Sequence, residues 1–468
     1  MLEITRKLAD WVTKTGYEDL PQEVRTKVKF CALDCAGVAL SALGGEVGRI
    51  VDALLPEMGV PGGSTVFGSD KLWKPVSAGF FNCLLAHAMD FDDTYQPVPV
   101  HTSSAIFPAS LAMAENLKAS GKDLIRAMAL GTEISIRIGL ALGRTHIERG
   151  WHGTGTFNTF GAAVSAGTLL GFSAPQMIRC LGTAGVQAAG LVKAAGGNKC
   201  KPLHAGKAAM NGILSALLAA SSGWSAPERV IEMEKGFASA FSDKPQLERG
   251  LEGLGTRHLL MDISLKPNAS CAQTHYTVDG MKELRLKNQI DPEAVREIIL
   301  KVNPLAVMVA GFPQPKDGLE GKFSLAYCAA LVLHGHDPVE SAFSDTMVKR
   351  PELQATCQKV RLEEVPGRGD VESETEIQLK DGRRFSTYVS IAKGNPGNEL
   401  SVQELSEKFS QLVEPFAGQK VARSLMSTIL RCEEMKDVRE LGHLLRRASL
   451  QMRQNSQETS NREGQTLA

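Results

Sequence analysis

The segment from Met89 to His101, MDFDDTYQPVPVH, carries the residues with the clearest capacity for chemistry. Three carboxylates, Asp90, Asp92 and Asp93, follow an apolar stretch that is predicted to form a helix. Carboxylates at the carboxyl end of a helix face the negative end of its dipole, and such unfavourable placements are typical of functional sites. An aspartate here could exchange a proton with a substrate, and His101 could act as an acid, a base or an anion ligand. The alternative interpretation is a solvated acidic loop.

Histidine and lysine residues precede two other predicted helices. His152 lies between glycines in GWHGT, ahead of a helix expected to begin near Thr159, and the basic run KCKPLHAGK, residues 199–207, leads into a helix expected from Ala205. Free N–H groups and the positive dipole end at a helix N-terminus attract anions. The alternatives are a tight turn with a surface histidine and a solvated basic turn. We predict an anion site that uses His152, Lys201, His204 and Lys207.

The segment KPNASCAQTH, residues 266–275, lies where the chain changes from a helical to a mixed pattern. Pockets are common at the junctions between domains. We therefore predict that Lys266, Cys271 and His275 contact a substrate. The alternatives are a cysteine that fills the core and a histidine that is satisfied within its own helix.

Several other kinds of site are disfavoured. No histidine pair has metal-ligand spacing and no HExxH motif occurs, so we expect no metal and no other cofactor. The glycines around His152 form neither a phosphate-binding P-loop nor a dinucleotide fingerprint. Residues 90–94 match the DxDDT box of class II terpene cyclases, but those enzymes are much longer and line their cavities with aromatic residues. This chain has 4 Trp and 5 Tyr.

Apolar stretches with helical periodicity separate these segments. Helices are predicted over residues 24–43, 75–90, 104–115, 124–143, 159–170, 175–189 and 205–220. Ser173 precedes Pro175 as a helix cap. These helices are rich in Ala and Gly and poor in charge, which is typical of helices that pack closely inside a core. We expect residues 1–262 to form the first part of a large helical domain.

The pattern changes after residue 262. Residues 294–302 are rich in β-branched side chains and predict a strand, and Asp381-Gly382 between the runs 374–380 and 383–391 predicts a hairpin. Residues 322–333 and 337–342 are predicted to be helical. We therefore expect a smaller α+β lid domain over residues 263–396. Helices in residues 397–468, opened by a capping box from Ser401 to Glu404, should complete the helical domain and end in a frayed tail.

The overall composition disfavours several partners. Lys plus Arg and Asp plus Glu each total 52 in 468 residues, so no net charge attracts nucleic acid or an anionic membrane. No apolar run is long enough to predict a membrane span, and the N-terminus lacks the apolar core of a signal peptide. The nine cysteines are scattered and include no CxxC pair, which favours a reducing compartment. We expect a soluble, cytoplasmic protein.

Taken together, the segments resemble the MmgE/PrpD family. The resemblance rests on AHAMDFDDT with His101 downstream, GWHGT, KPLHAG, Lys-Pro with Cys271 and His275, and EGKFSLAYC ending at Cys328. Their order and spacing cover nearly the whole chain. The family includes 2-methylcitrate dehydratase, cis-aconitate decarboxylase and iminodisuccinate epimerase. The resemblance implies a mainly α fold, in which a large helical domain is built from both chain ends and carries a smaller α+β lid, and it implies a homodimer.

The resemblance also implies roles for individual residues. The aspartate, threonine, histidines and lysine of the decarboxylase pocket look like Asp90, Thr94, His101, His152 and Lys201. The animal decarboxylase has a histidine where this chain has Cys271, whereas the fungal decarboxylase resembles the cysteine version. The spacing from Thr94 to His101 is one residue longer than in the animal enzyme.

The chemistry common to these members is proton transfer next to a carboxylate of a small di- or tricarboxylate. We expect Asp90, His101, His152 and Lys201 to be catalytic, and Thr94, His204, Lys207, Lys266, Cys271 and His275 to bind the substrate. The expected reaction is dehydration of a 2-methylcitrate-like alkylcitrate. The alternatives are a cis-aconitate-type decarboxylase, an epimerase of an aminodicarboxylate, and a non-catalytic binding protein, because the same pocket residues suffice for each reaction.

Overall fold

Most of the chain is helical, as the periodicity predicts. A computed structural model describes residues 3–192, 200–369 and 372–466. Its helices are α1 (Ile4–Lys14), α2 (Gln22–Ser41), α3 (Glu46–Met58), α4 (Pro75–Ala86), α5 (Ser103–Leu117), α6 (Gly121–Leu142), α7 (Thr145–Glu148), α8 (Gly153–Leu169), α9 (Ala174–Gly185), α10 (Lys201–Ala220), α11 (Phe237–Phe241), α12 (His275–Asn288), α13 (Pro304–Ala310), α14 (Gly318–Lys322), α15 (Leu325–Leu333), α16 (Asp345–Val348), α17 (Pro351–Cys357), α18 (Val402–Ala417), α19 (Gln419–Leu430) and α20 (Arg439–Thr466). The strands are β1 (Pro61–Thr65), β2 (Leu72–Trp73), β3 (Val295–Val302), β4 (Val360–Glu364), β5 (Ser373–Leu379) and β6 (Arg384–Val389).

Helix α8 lies at the centre of the helical part, where it packs against α5, α6, α9 and α10. It approaches α6 closely. A Cβ added to Gly131 would lie 2.0 Å from Ser165 Oγ, and one added to Gly161 would lie 2.1 Å from Ser135 Oγ. Only residues without a side chain allow two helix backbones to approach so closely. The small residues of these apolar stretches therefore serve helix packing.

The helices that follow residue 400 pack against the start of the chain. Helices α18 and α19 contact α2, and their contact includes a buried ion pair in which Lys408 Nζ donates to Asp34 Oδ1 at 2.6 Å. Both side chains are at least nine-tenths buried. Burying these two charges is tolerated because they pair with each other. The pair ties the last helices of the chain to the second.

Between these helical segments lies a four-stranded sheet in the order β4-β3-β5-β6. Strand β3 is parallel to β4 and antiparallel to β5, and β5 and β6 form the predicted hairpin, with Gly382 at φ 92°. Helix α12 packs on β5 and β6. The strand β4 was not predicted, because its sequence VRLEE is a short, charged edge strand without an apolar run. The prediction of a mainly α fold with a smaller α+β part is confirmed.

Several predicted helix boundaries were wrong, and three of them affect the site. Helix α4 ends at Ala86, so the acidic residues follow it as a loop, and α8 and α10 begin earlier than predicted, at Gly153 and Lys201. A break at Phe323–Ser324 divides the predicted helix 322–333, and residues 337–342 form only a 3₁₀ turn near Glu340–Phe343. The capping boxes at Ser173 and Ser401 are both present.

Within the described ranges, no single helix has the length and apolar character to cross a membrane, although the pair Gln22–Gly44 and Glu46–Met58, bent by 84°, passes that test together by length and composition.

Removing one charge of the buried pair should destabilise the protein strongly. Lys408→Met leaves the Asp34 carboxylate buried without its partner, which should lower the free energy of unfolding by about 3–5 kcal/mol. The double variant Asp34→Asn, Lys408→Met should recover most of that loss. Urea denaturation followed by circular dichroism measures both. Lys122→Met, at the exposed Lys122–Glu18 pair, is the control and should change little; equal effects of Lys408→Met and Lys122→Met would contradict the prediction.

Candidate active site

The chain that follows α4 forms a buried turn whose backbone is held by lysines. Asp90 adopts a left-handed conformation with φ 54°, which aspartate tolerates better than most residues. Three lysines from distant parts of the chain donate to three consecutive carbonyls: Lys322 to Met89 at 2.7 Å, Lys266 to Asp90 at 2.6 Å and Lys408 to Phe91 at 3.0 Å. We call Lys266, Lys322 and Lys408 the lysine clamp. Of the three, sequence analysis predicted a functional role only for Lys266.

The clamp presents the Asp90 carboxylate to two ammonium groups. Lys201 donates to Asp90 Oδ1, and Lys266 Nζ lies 3.2 Å from the same oxygen. Burial raises the pKa of the Asp90 carboxyl, but Lys201, Lys266 and His101 lower it more, so the net pKa lies well below its usual range. Burial lowers the pKa of Lys201, but Asp90 and Asp92 raise it above its usual value. Two ammonium groups thus flank the Asp90 carboxylate, and each can also form a charge-assisted hydrogen bond with a bound carboxylate.

Hydrogen bonding determines which nitrogen of His101 carries the proton. Its Nδ1 lies 2.8 Å from the carbonyl oxygen of Asp93, which can only accept, so Nδ1 is the N–H donor. Burial lowers the pKa of His101 to about 3, and the ring is therefore neutral. Its Nε2, 4.0 Å from Asp90 Oδ1, keeps a free lone pair. His101 is thus arranged as a proton acceptor on the Asp90 side of the site.

His87 and Asp92 form a buried pair that sequence reasoning missed. His87 Nδ1 lies 2.7 Å from Asp92 Oδ2 and both side chains are fully buried. Burial raises the pKa of Asp92, but His87 and His101 lower it by more, so the net pKa lies well below its usual range. Sequence analysis gave His87 no role, because it falls inside the helix predicted over residues 75–90. The helix ends one residue earlier, and the turn brings Asp92 back onto the ring.

Asp93 lies at the N-terminus of α5, not at the negative end of a helix as the sequence suggested. Its carboxylate accepts from the Ser103 backbone N–H at 3.0 Å and from the Ser103 hydroxyl. A carboxylate at this end of a helix is favourable. Burial nevertheless raises its pKa to about 6. Asp93 therefore caps α5, and the conflict with the helix dipole that first drew attention to this segment is absent.

His152 and His204 are joined by a hydrogen bond between their Nδ1 atoms, 2.8 Å apart. His152 is the residue before α8 and is buried, while His204 lies in the first turn of α10 and is partly exposed. Burial lowers the pKa of His204 to about 4, and burial together with the neighbouring His87 and Lys201 lowers that of His152 well below its usual value. The His152 ring centroid lies 6.0 Å from that of His87 and 6.5 Å from that of His101.

The other predicted site residues are Cys271, His275, Thr94 and Lys207, and they differ in burial and in contacts. Cys271 is partly exposed, and burial and Asp90 raise the pKa of its thiol to about 11. His275 is buried and its Nε2 donates to the Ser270 carbonyl at 3.2 Å, so this N–H stabilises the loop. Thr94 pairs through its backbone with Ser264. Lys207 is exposed on α10 and is not brought into the cluster.

The described residues contain one group with the composition of a metal site. One ligand atom from each of His87, Asp92 and His101 lies within 4.8 Å of the others. In the present arrangement, however, His87 Nδ1 pairs with Asp92 and His101 Nδ1 donates to a backbone carbonyl. A metal would have to displace these bonds and lie near the cations Lys201 and Lys266.

Sequence comparisons identify the family of the chain. The MmgE/PrpD N-terminal domain model matches residues 6–250, and the MmgE/PrpD C-terminal domain model matches residues 269–433. The chain belongs to the MmgE/PrpD family. Cis-aconitate decarboxylase of Aspergillus terreus is 27% identical over 94% of this chain and 92% of its own length. The cis-aconitate decarboxylases of Mus musculus and Homo sapiens are each 27% identical, over 96% and 95% of this chain and 94% of each relative.

Substitution of the capping carboxylate should remove one component of the pH dependence of stability. Because the folded pKa of Asp93, about 6, exceeds that of an unfolded aspartate, about 3.9, its proton stabilises the fold below the unfolded pKa. This stabilisation is lost as the pH rises through 6. Asp93→Asn cannot titrate, so the wild type should lose stability relative to this variant between roughly pH 4 and 7. Urea midpoints across that range measure the difference; parallel curves would refute it.

Proposed function

We propose that this MmgE/PrpD protein is a lyase that decarboxylates a cis-aconitate-type tricarboxylate without a cofactor. The observation that carries the proposal is the buried Asp90–Lys201–Lys266 group beside the neutral His101, in a chain whose relatives over nearly its full length are named cis-aconitate decarboxylases. These relatives favour this reaction over the dehydration that we expected first. The homodimer and the cytoplasmic location stay predictions.

The charge arrangement supports a polycarboxylate substrate. Lys201 and Lys266 place two ammonium groups on one side of the site, and both lie where little water screens them. A substrate carboxylate could take a place on Lys201 by competing with Asp90. Cys271, beside this group, would line the pocket as a weakly polar wall, because its raised pKa keeps it a thiol.

The neutral histidines supply the proton chemistry. A carboxyl group must be ionised before it can leave as carbon dioxide, and burial favours its protonated form. The bare Nε2 of His101 can accept that proton. The C–C bond to the carboxylate then breaks, its electron pair stays in the conjugated substrate, and Lys201 and Lys266 stabilise the negative charge. A carbon of the substrate finally accepts a proton from an acid in the pocket, and His101 returns the carboxyl proton to water when the product leaves.

Product analysis tests the reaction class directly. The purified protein should release carbon dioxide from cis-aconitate and give a product lighter by one carbon dioxide in mass spectrometry. 2-Methylcitrate and iminodisuccinate are the comparison substrates. A new alkene absorbance from 2-methylcitrate without gas release would replace decarboxylation by dehydration, and turnover of none of these acids would reject the proposal.

The base can be tested by a single substitution. His101→Gln keeps a side chain that can donate to the Asp93 carbonyl but lacks the basic nitrogen, so kcat/KM should fall by about 10²–10⁴. His334→Gln is the matched control, because His334 is a partly exposed histidine at the end of α15 that bonds Thr356. Initial rates with cis-aconitate and circular dichroism of both variants provide the measurement. A His101→Gln rate close to that of the control would exclude His101 as the base.

A further inference from the structure

The hydrogen bond between His152 and His204 couples the protonation of two residues that differ in access to solvent. Their Nδ1 atoms lie 2.8 Å apart, and at neutral pH both rings are uncharged. A neutral imidazole carries one proton, on one of its two nitrogens. One Nδ1 of the pair must therefore carry a proton and the other must accept it.

This coupling makes His152 a proton donor or acceptor according to the state of His204. When His204 donates from Nδ1, the proton of His152 lies on Nε2, which leaves His152 able to donate there. When His152 donates from Nδ1, its Nε2 is bare. Moving one proton between the two Nδ1 atoms thus exchanges the acidic and the basic form of His152.

Two other basic groups of the site, His101 and Lys201, have no comparable exchange. His101 donates from Nδ1 to the Asp93 carbonyl, which cannot return a proton, so His101 has no proton at Nε2 until it takes one from the substrate carboxyl group. Lys201 holds its proton more tightly than usual because of Asp90. Of these groups, His152 is therefore best suited to protonate a substrate carbon.

Decarboxylation creates a demand for such a donor. A carboxylate that leaves as carbon dioxide is replaced on the substrate by a hydrogen, so each turnover takes up one proton, whereas dehydration and epimerisation take up none. The site is buried, but His204 is partly exposed. We propose that His204 passes a solvent proton through His152 to the substrate carbon that is left when carbon dioxide departs. This inference rests on the proposed function.

The proton balance of the step closes within the pair. His152 gives its Nε2 proton to the carbon, which receives it with the electron pair of the broken C–C bond. His152 Nδ1 takes the proton of His204 Nδ1, and His204 takes a proton from water at Nε2. Both rings end neutral with the central hydrogen bond reversed. When the product leaves, water in the open pocket reprotonates His152 Nε2, and His204 releases one proton to solvent, which restores the starting state. His204 therefore acts during the protonation of the carbon, while the product closes the pocket, because its proton keeps His152 from becoming an anion.

Kinetics of His204 variants with cis-aconitate test the relay. His204→Gln preserves a hydrogen-bonding side chain but cannot pass a proton, so kcat should fall by about 10- to 100-fold with KM little changed. The solvent deuterium isotope effect on kcat should increase. In His204→Ala, added imidazole should restore part of kcat by occupying the vacated space. His334→Gln should show none of these effects.

The outcomes separate the relay from the proposed function. If the wild type releases no carbon dioxide from cis-aconitate, the proposed function is overturned and the relay with it. If the wild type does release it, but His204→Gln raises KM and leaves kcat and its isotope effect unchanged, His204 binds substrate and only the relay is overturned. A loss of kcat in His204→Ala that imidazole does not restore, with no change in isotope effect, would likewise overturn the relay by indicating a structural role.

Discussion

The site depends on three buried lysine ammonium groups that donate hydrogen bonds to the backbone of one turn. Lys266, Lys322 and Lys408 are almost completely buried, and each donates to one of the carbonyls of residues 89–91. An unpaired charge in such a place would cost several kcal/mol. The clamp therefore stabilises a left-handed aspartate in the middle of the protein, and it requires the chain to bring together segments that are up to 317 residues apart.

The partners of the clamp explain why both ends of the chain contribute to the site. Lys408 also pairs with Asp34 on α2, and Lys322 also pairs with Glu340 in the α+β part. Each lysine thus joins the turn to a different structural element. Buried charges are satisfied only in a narrow range of geometries. A shift of the α+β part against the helices would therefore change the hydrogen bonds to the carbonyls beside Asp90.

Hydrogen-bond partners determine which nitrogen of each histidine carries the proton, whereas burial keeps the histidine rings neutral. Burial lowers the pKa of His101, His152 and His204, so all three are uncharged at neutral pH. A backbone carbonyl fixes the form of His101, whereas another histidine faces His152. The first partner can only accept a proton and the second can accept or donate. His101 can therefore serve as a base, and His152 can serve as an acid that regains its proton.

The sequence by itself determined the helical character, the hairpin at Asp381-Gly382 and most of the site. Helical periodicity and turn chemistry are local, and the catalytic candidates Asp90, His101, His152 and Lys201 stand in short motifs of the right residue types. Only the tertiary structure decided the partners. His87 had no role in the sequence analysis, and the structure shows that the turn brings Asp92 back to it. Lys408 lies in an amphipathic helix whose sequence does not distinguish it. Lys207, three positions from His204, faces solvent. The physical reason is that the effect of a charge depends on burial and on groups distant in the chain, and neither can be read from local spacing.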